Sequence, residues 1–313
     1  MLERPVLARR NDRKKLAPVN PKAGDPESWF KTKYFVDRGI LSTTFDFFVN
    51  WPEKRIGNEV WLKRIMTYKD RINDYRQLEK EIADCDGKQY SQQTFRLLKY
   101  YGLIEKYMIF RNVPEERWDN REEKILEYDI SERNGNASLR RISVDELEDE
   151  IKSIRQSAPS IGAHGLIYST STLEGYLSEK DYIWPGDVDT ILFEPNENYK
   201  VNAVLEFKKH TASSHIAYED EKLSNYYKRD ILKYESLGLL RDFFQSSLYV
   251  IFFPVESKYT NIYVEKVSGP YDDLKTQERY AIPIPDKNSE ISMSIFADTF
   301  CKIMGGNYGQ KNL

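Results

Sequence analysis

Cysteine and histidine are scarce in this sequence. Its 313 residues include two cysteines and three histidines. Cys85 and Cys301 lie far apart with no CxxC spacing, so we expect neither a disulfide framework nor a zinc knuckle, and a reducing cytoplasm is the default compartment. The histidines, at positions 164, 210 and 215, do not form the HExxH pattern of zinc hydrolases. A metal ion acting in this protein would therefore need oxygen ligands.

Long hydrophobic runs are also missing. No apolar run approaches the roughly 18–20 residues of a membrane span, and the first residues lack the apolar segment of a signal peptide. A hydrophobic content of 40% and a charged content of 31% are typical of globular proteins. The length suffices for two domains, each with its own core. We expect a cytoplasmic protein with no membrane partner.

Charge is nearly balanced, with a formal net charge of −3, but it is unevenly distributed. Residues 1–15 hold six Arg and Lys side chains against two acidic ones, a net charge of +4. This basic segment opens a loop-rich arm, predicted over residues 1–28. Such an arm can lie along phosphates and release their counterions, or it can be a solvated, disordered tail. The sequence leaves both interpretations open.

A helix pair is predicted after an aromatic-rich region, residues 29–72, that also looks mostly helical. The first helix runs from Tyr75 to about Ala83, and Ser91 is a candidate N-cap for the second. A hairpin of residues 107–110 and 125–130 follows. Together these elements resemble a winged helix-turn-helix, and the resemblance rests on Leu78, Ser91, Thr94, Leu98 and the Gly102-Leu103-Ile104 terminator.

The winged-helix resemblance implies a DNA-recognition domain over residues 29–135. The second helix would enter the major groove and present side chains that read base edges or hold phosphates, namely Gln92, Gln93, Arg96 and Lys99. A domain that binds a protein partner is the alternative, because similar helix pairs occur in winged helices that never touch DNA.

The second half of the chain has a different pattern. A polar segment, residues 131–141, is a candidate domain boundary, and Ser143 with Glu146 forms a capping-box signature for the helix that follows. Strands are predicted at 165–170, 189–194, 201–207, 247–254 and 261–266, with one long helix at about 219–240. These elements predict an α/β domain over residues 144–313. No internal repeat is visible in the sequence.

Carboxylates occupy unusual positions in a predicted hairpin of residues 189–194 and 201–206. If Glu194 pairs with Val201, the residue numbers of every opposed pair sum to 395, and Asp189 then faces Glu206. Alternation along the strand places Lys208 on the same face as Glu206. Two opposed carboxylates repel unless a cation joins them, and Mg²⁺ favours such oxygen ligands.

An Asp followed by Glu-x-Lys at the end of an apolar strand resembles the PD-(D/E)XK nuclease superfamily. The resemblance implies an αβββαβ core, in which Asp189 and Glu206 coordinate Mg²⁺ (or Mn²⁺). Lys208 would orient or deprotonate the attacking water during hydrolysis of a phosphodiester. Asp187 is a rival for the metal-ligand aspartate. Glu174 is a candidate for the additional acid that some members carry on an earlier helix.

The combined expectation is a two-domain α/β protein with an N-terminal, mostly helical winged-helix-like domain and a C-terminal restriction-endonuclease-like domain. Its expected function is Mg²⁺-dependent cleavage of double-stranded DNA, as in type II restriction endonucleases, which commonly dimerise because two strands must be cut. The enzymatic alternatives are a transposase endonuclease subunit and a repair or resolvase nuclease. A non-catalytic DNA- or protein-binding regulator with an inactive nuclease-like domain is the alternative from another class.

Overall fold

The computed structural model describes residues 1–10, 12–67, 74–120, 123–130, 138–155, 166–180, 185–211 and 214–305. The described strands are β1 (Leu2–Glu3), β2 (Ala8–Arg9), β3 (Asp12–Leu16), β4 (Leu41–Asn50), β5 (Arg55–Met66), β6 (Ile104–Phe110), β7 (Ile125–Asp129), β8 (Ser138–Ile142), β9 (Tyr168–Ser169), β10 (Gly186–Glu194), β11 (Lys200–His210), β12 (Ser247–Pro254), β13 (Asn261–Ser268) and β14 (Lys275–Pro283).

Helices alternate with these strands, as a mixed α/β fold requires. The α-helices are α1 (Pro26–Trp29), α2 (Thr32–Phe35), α3 (Tyr75–Asp86), α4 (Lys88–Tyr100), α5 (Glu115–Asp119), α6 (Val144–Arg155), α7 (Thr172–Leu177), α8 (Ile231–Phe243) and α9 (Glu290–Ile303). Short 3₁₀ turns cover Val36–Arg38, Tyr218–Asp220 and Leu223–Asn225. Within the described ranges, no helix combines the length and apolar character needed to cross a membrane.

The chain forms two compact units. Unit 1 comprises residues 1–17 and 45–187, and unit 2 comprises residues 18–44 and 188–313. The boundaries lie between residues 17 and 18, within β4 and within β10. The expected domain limits at 28 and 144 lie at other positions, and the expected limit at 135 lies outside the described residues. Each unit has its own apolar core, as the length of the chain predicts.

In unit 1 the strand order is β5-β6-β7-β8, and the unit 1 part of β4 pairs with β5. The β5–β6 pair is parallel, while β4–β5, β6–β7 and β7–β8 are antiparallel. Trp61, Met108 and Trp118 are fully buried in the core of this unit. The expectation of a mostly helical region over residues 29–72 is wrong for 41–66, because β4 and β5 occupy it.

The predicted helix pair is present, with different limits. α3 continues to Asp86, and Gly87, at φ 86°, separates it from α4. Ser91 is therefore not the N-cap but a buried residue inside α4, where its hydroxyl donates to the carbonyl of Lys88. Gly102 has φ 72°, the left-handed conformation expected for the end of this helix.

The predicted hairpin after α4 is formed by β6 and β7, which pair in antiparallel fashion. However, β6 also pairs with β5 along its full length, and Tyr107, Met108 and Ile109 are fully buried. The hairpin is thus the middle of a sheet. Its connection contains α5, whose Trp118 packs into the core.

In unit 2 the strand order is β14-β13-β12-β11-β10. The β11–β12 pair is parallel and is connected by α8, while the neighbouring pairs are antiparallel. The strands predicted at 189–194, 201–207, 247–254 and 261–266 are confirmed, with β10 and β11 extending further. The long helix predicted at 219–240 is wrong in its first half, where two 3₁₀ turns precede α8.

The capping box predicted for residues 143–146 is also confirmed. The backbone N–H of Ser143 donates to Glu146 at 2.6 Å, and the backbone N–H of Glu146 donates to the Ser143 hydroxyl at 3.2 Å. The strand predicted at 165–170 is reduced to β9, and residue 165 lies outside the described residues.

Candidate functional site

The β10–β11 hairpin has the predicted register at its open end. Thr190 pairs with Leu205, Ile191 with Val204 and Leu192 with Ala203, so the numbers of these pairs sum to 395. One further step places Asp189 opposite Glu206. The open end of this hairpin therefore carries both carboxylates that the sequence singled out.

Near the turn the register differs from the expectation. The pairing shifts between Leu192 and Phe193, so Glu194 pairs with Lys200 and not with Val201. The extra residue on β11 is Asn202, whose side-chain amide donates to Glu194 at 2.8 Å. This β-bulge absorbs one residue between the turn and the open end.

Asp189 is bound to the backbone of the opposite strand. Its Oδ2 atom accepts a hydrogen bond from the backbone N–H of Phe207 at 2.5 Å. Phe207 directly follows Glu206, so this bond fixes the Asp189 carboxylate beside the residue that it faces. One Asp189 oxygen is thus held in place by the sheet.

Glu206 is a buried carboxylate whose partner comes from α8. The residue is 1% exposed, and Lys233 Nζ lies 2.6 Å from its Oε1. Apart from this ion pair, neither Glu206 oxygen has a hydrogen-bond partner among the described residues. A buried carboxylate is costly without compensation, and the Lys233 ammonium supplies the compensating positive charge here.

Lys208 lies two residues further along β11 and is held by Asp230, which directly precedes α8. Its Nζ donates to Asp230 Oδ2 at 2.6 Å. The same ammonium lies 4.7 Å from the centroid of the Tyr226 ring and 5.7 Å from that of Tyr234. Aromatic rings at these distances stabilise a cation.

Two ionisable neighbours of Lys208 have displaced pKa values. Burial would raise the pKa of Asp230, but hydrogen bonds from Arg229 and Lys208 outweigh it and lower the pKa to about 2. Burial, followed by the charge of Glu206, raises the pKa of Tyr234 far above its usual value. Asp230 is therefore a carboxylate and Tyr234 a neutral phenol at neutral pH.

A second buried network continues along the same strand face. His210 Nδ1 lies 2.7 Å from Glu221 Oε1, and the Tyr226 hydroxyl donates to Glu221 Oε2 at 2.5 Å. Glu221 is 0% exposed and His210 is 5% exposed. Glu221 thus fixes the Tyr226 ring against which Lys208 packs.

The donor set of this hairpin fits a small, hard cation. Mg²⁺ is commonly bound by one or two carboxylates, with water and phosphate oxygens completing its shell. Asp189 and Glu206 supply two carboxylates, and Glu206 Oε2, which has no hydrogen-bond partner among the described residues, has the acceptor capacity that such an ion uses, while Oε1 is ion-paired with Lys233. Within the described ranges, no cluster of three or more His, Cys, Asp or Glu side chains is arranged to hold a metal.

Glu174 and Asp187 belong to unit 1 and surround a different lysine. Glu174 Oε1 lies 3.7 Å from Lys63 Nζ, and its Oε2 accepts hydrogen bonds from the backbone and hydroxyl of Thr170. Burial would lower the pKa of Lys63, but Asp46, Glu174 and Asp187 raise it well above its usual value. Both predicted site residues therefore interact with Lys63.

The four predicted DNA-contacting residues lie along α4 but differ in exposure. Arg96 and Lys99 are exposed, while Gln92 and Gln93 are half-buried. The Oε1 atom of Gln93 is buried and has no hydrogen-bond partner in the described part of the chain. Two of the four side chains are thus accessible without rearrangement.

The basic N-terminal segment is folded onto unit 1 and is not a disordered tail over its described residues. Arg4 Nε lies 3.0 Å from Asp86 Oδ1, and Arg10 Nη2 lies 2.6 Å from Glu115 Oε2. Arg13 donates to the backbone carbonyls of Ser169 and Thr170. Three of the six basic side chains are therefore bound to residues outside the segment, and a fourth, Lys15, is ion-paired with Asp12 inside it.

Sequence reasoning missed Asp230 and Lys233, which contact the two key residues of β11. Asp230 lies three residues before Lys233 and four before Tyr234, and residues at these spacings share one helix face. This spacing was the signal available in the sequence. The long helix predicted at 219–240 obscured this signal, since it placed the first turn of α8 in the middle of a helix.

Comparison with known proteins does not assign this chain to a family. No protein-family model matches the chain, and no curated protein matches it. Among solved structures, the crystal structure of the sex pheromone staph-cAM373 precursor aligns with a TM-score of 0.20 and 7% sequence identity. That alignment covers 84% of this chain and 94% of the other. A likeness at this level carries no argument about fold or function.

We expect the ion pairs of Asp230 with Arg229 and Lys208 to make stability depend on pH in the acid range. The folded pKa of Asp230, about 2, is below its ordinary value of 3.8, so its contribution is present above about pH 4 and is lost as the pH falls towards 2. Urea unfolding of the wild type and Asp230→Asn should show a difference in unfolding free energy that shrinks over this window. A constant difference down to pH 2 would contradict the assignment.

Proposed function

We propose that this protein is a Mg²⁺-dependent endonuclease that hydrolyses phosphodiester bonds in double-stranded DNA, with its active site at the open end of the β10–β11 hairpin. The observation that carries the proposal is the buried Glu206 carboxylate. It faces Asp189 across the hairpin, precedes Lys208 by two residues and has a lysine ammonium as its ion-pair partner.

The order of elements in unit 2 supports the proposal. A β10–β11 hairpin, the helix α8 and a parallel strand β12 form a ββαβ sequence, which is the later part of the αβββαβ core expected for a PD-(D/E)XK nuclease. The acids and the lysine lie at the open end of the hairpin, on the side from which α8 approaches.

The roles of the residues follow from their contacts. Bound by Asp189 and Glu206, Mg²⁺ would supply Lewis-acid activation and neutralise charge on the phosphate. Lys208 would stabilise the negative charge that builds on the phosphate oxygens and orient the attacking water. Asp230, together with the Tyr226 ring, holds the Lys208 ammonium in position, so these two residues act through Lys208.

DNA recognition by α4 is part of the same proposal. The exposed side chains Arg96 and Lys99 are suited to phosphates or to guanine, and Gln92 and Gln93 to adenine once they become accessible. The sheet position of β6 departs from a free-standing wing. The element that contacts DNA is therefore α4 itself, and the β6–β7 hairpin has no such role.

The deciding experiment is cleavage of supercoiled plasmid DNA. The wild type should produce nicked or linear DNA with Mg²⁺ or Mn²⁺ and none with EDTA. The double variant Asp189→Asn/Glu206→Gln should be inactive while retaining its fold by circular dichroism. Glu194→Gln is the matched control, because Glu194 is a buried glutamate at the other end of the same hairpin. Metal-independent DNA binding without cleavage would favour a regulator and overturn the proposal.

A further inference from the structure

The arrangement of strands in unit 2 occurs a second time in unit 1. Each unit has an antiparallel hairpin, then helical structure, then a strand parallel to the second hairpin strand, and then two antiparallel strands and a helix. In unit 1 this series is β4, β5, α3 with α4, β6, β7, β8 and α6. In unit 2 it is β10, β11, α8, β12, β13, β14 and α9.

The two hairpins align at their open ends, whereas their registers shift by different amounts nearer the turns. Asp46 pairs with Trp61 in unit 1, as Asp189 faces Glu206 in unit 2. The parallel strand pairs can be compared at these positions, where Trp61 pairs with Lys106 and Glu206 with Val250. These partners are 45 and 44 residues apart, so the two crossovers have nearly the same length.

Two of the three candidate catalytic positions have counterparts of the same chemistry. Asp46 corresponds to Asp189, and Lys63, two residues after Trp61, corresponds to Lys208. At the position of Glu206 stands Trp61, which is 0% exposed and whose indole N–H donates to Glu59 at 3.1 Å. The unit 1 hairpin thus lacks the second carboxylate that a metal site of this type uses.

A lysine neutralises the remaining carboxylates of unit 1. Lys63 Nζ lies 3.3 Å from Asp46 Oδ2 and 3.7 Å from Glu174 Oε1, and its side chain is 8% exposed. In unit 2 the ammonium beside Glu206 belongs to Lys233, whose side chain is 37% exposed. The side chain of Lys233 is thus partly exposed to solvent, whereas that of Lys63 is enclosed.

We infer that unit 1 is a second copy of the unit 2 arrangement in which the Lys63 ammonium replaces a divalent cation, so that each chain has one metal site. The inference of one site per chain depends on the proposed function of unit 2, but the replacement in unit 1 does not. A chain with one site cuts one strand per encounter. Breaking both strands then requires two chains or two successive encounters.

Manganese titration of the whole chain tests the number of sites. Calorimetry should give one Mn²⁺ per wild-type chain, none for Glu206→Gln and one for Asp46→Asn. A lower stoichiometry in Asp46→Asn would overturn the inference, because Asp46 would then be a metal ligand. If the wild type binds no Mn²⁺, the proposed function of unit 2 fails, and the replacement in unit 1 is decided by the next measurement.

The replacement is tested in the Glu206→Gln background, where the unit 2 site is disabled. Adding Lys63→Gln leaves Asp46 and Glu174 without their cation, and millimolar Mn²⁺ should then raise the melting temperature by about 5 °C. Glu206→Gln alone, and the triple variant with Asp46→Asn, should show no rise. Absence of a metal-dependent rise in the Lys63 variant would overturn the inference. If the Lys63→Gln variant does not fold, the Mn²⁺ titration of Asp46→Asn still tests the inference.

Discussion

Replacing Lys208 with methionine should reduce DNA cleavage by about 10²–10³-fold, the usual cost of removing a preorganised group that stabilises transition-state charge. Methionine keeps much of the apolar stem that packs on Tyr226 and Tyr234 but removes the ammonium. The metal ligands Asp189 and Glu206 remain, and one nearby positive charge is lost, so Mn²⁺ affinity should rise and not fall. Plasmid cleavage rates and Mn²⁺ calorimetry on the same preparations measure both effects.

Lys209→Met is the matched control for this prediction. Lys209 is the next residue on β11, and alternation along a strand places it on the opposite face of the sheet from Lys208. Cleavage should stay within about threefold of the wild type, since a residue on the far face makes no contact with the reacting groups. Equal losses in both variants would mean that the positive charge of the strand matters, and not the position of Lys208.

Replacing Lys63 with methionine should lower the free energy of unfolding by about 3–5 kcal/mol, the usual cost of removing one partner from a buried ion pair. The change leaves the Asp46 and Glu174 carboxylates, which lie 3.3 and 3.7 Å from the ammonium, without their cation. Urea unfolding at neutral pH and without divalent metal measures the loss.

Lys200→Met, at the exposed start of β11, is the control for Lys63, and its unfolding free energy should change by no more than about 0.5 kcal/mol. Lys63→Arg should recover part of the stability, because it retains the charge. If Lys63→Met lowers the free energy of unfolding by less than about 1 kcal/mol, other groups neutralise the charge of the Asp46 and Glu174 carboxylates.

The hairpin that carries the candidate site could be predicted from the sequence in detail. Apolar runs bounded by turn residues located β10 and β11, and counting pairs placed Asp189 opposite Glu206. The same counting failed near the turn, because a bulge depends on local backbone geometry that residue types do not specify. The contacts of Lys208 with Asp230 and of Glu206 with Lys233 were also missed, since they depend on where α8 begins.

Unit 1 was much harder to predict, and the reason is burial. β4 and β5 are buried on both faces over most of their length, so the alternation of apolar and polar residues that marks a half-exposed strand is absent. Aromatic-rich runs without period 2 then resemble buried helices. The proposed internal repeat was invisible for a related reason, because its two copies share the order and direction of their strands but few residue types.

The bulge at Asn202 divides the β10–β11 strand pairing into two segments with different registers. Residues 195–199 lie on the turn side of this bulge, and the Thr190–Leu205 pair and the carboxylates beyond it lie on the other side. This makes the turn of the hairpin a suitable place to insert a reporter peptide without disturbing the candidate site.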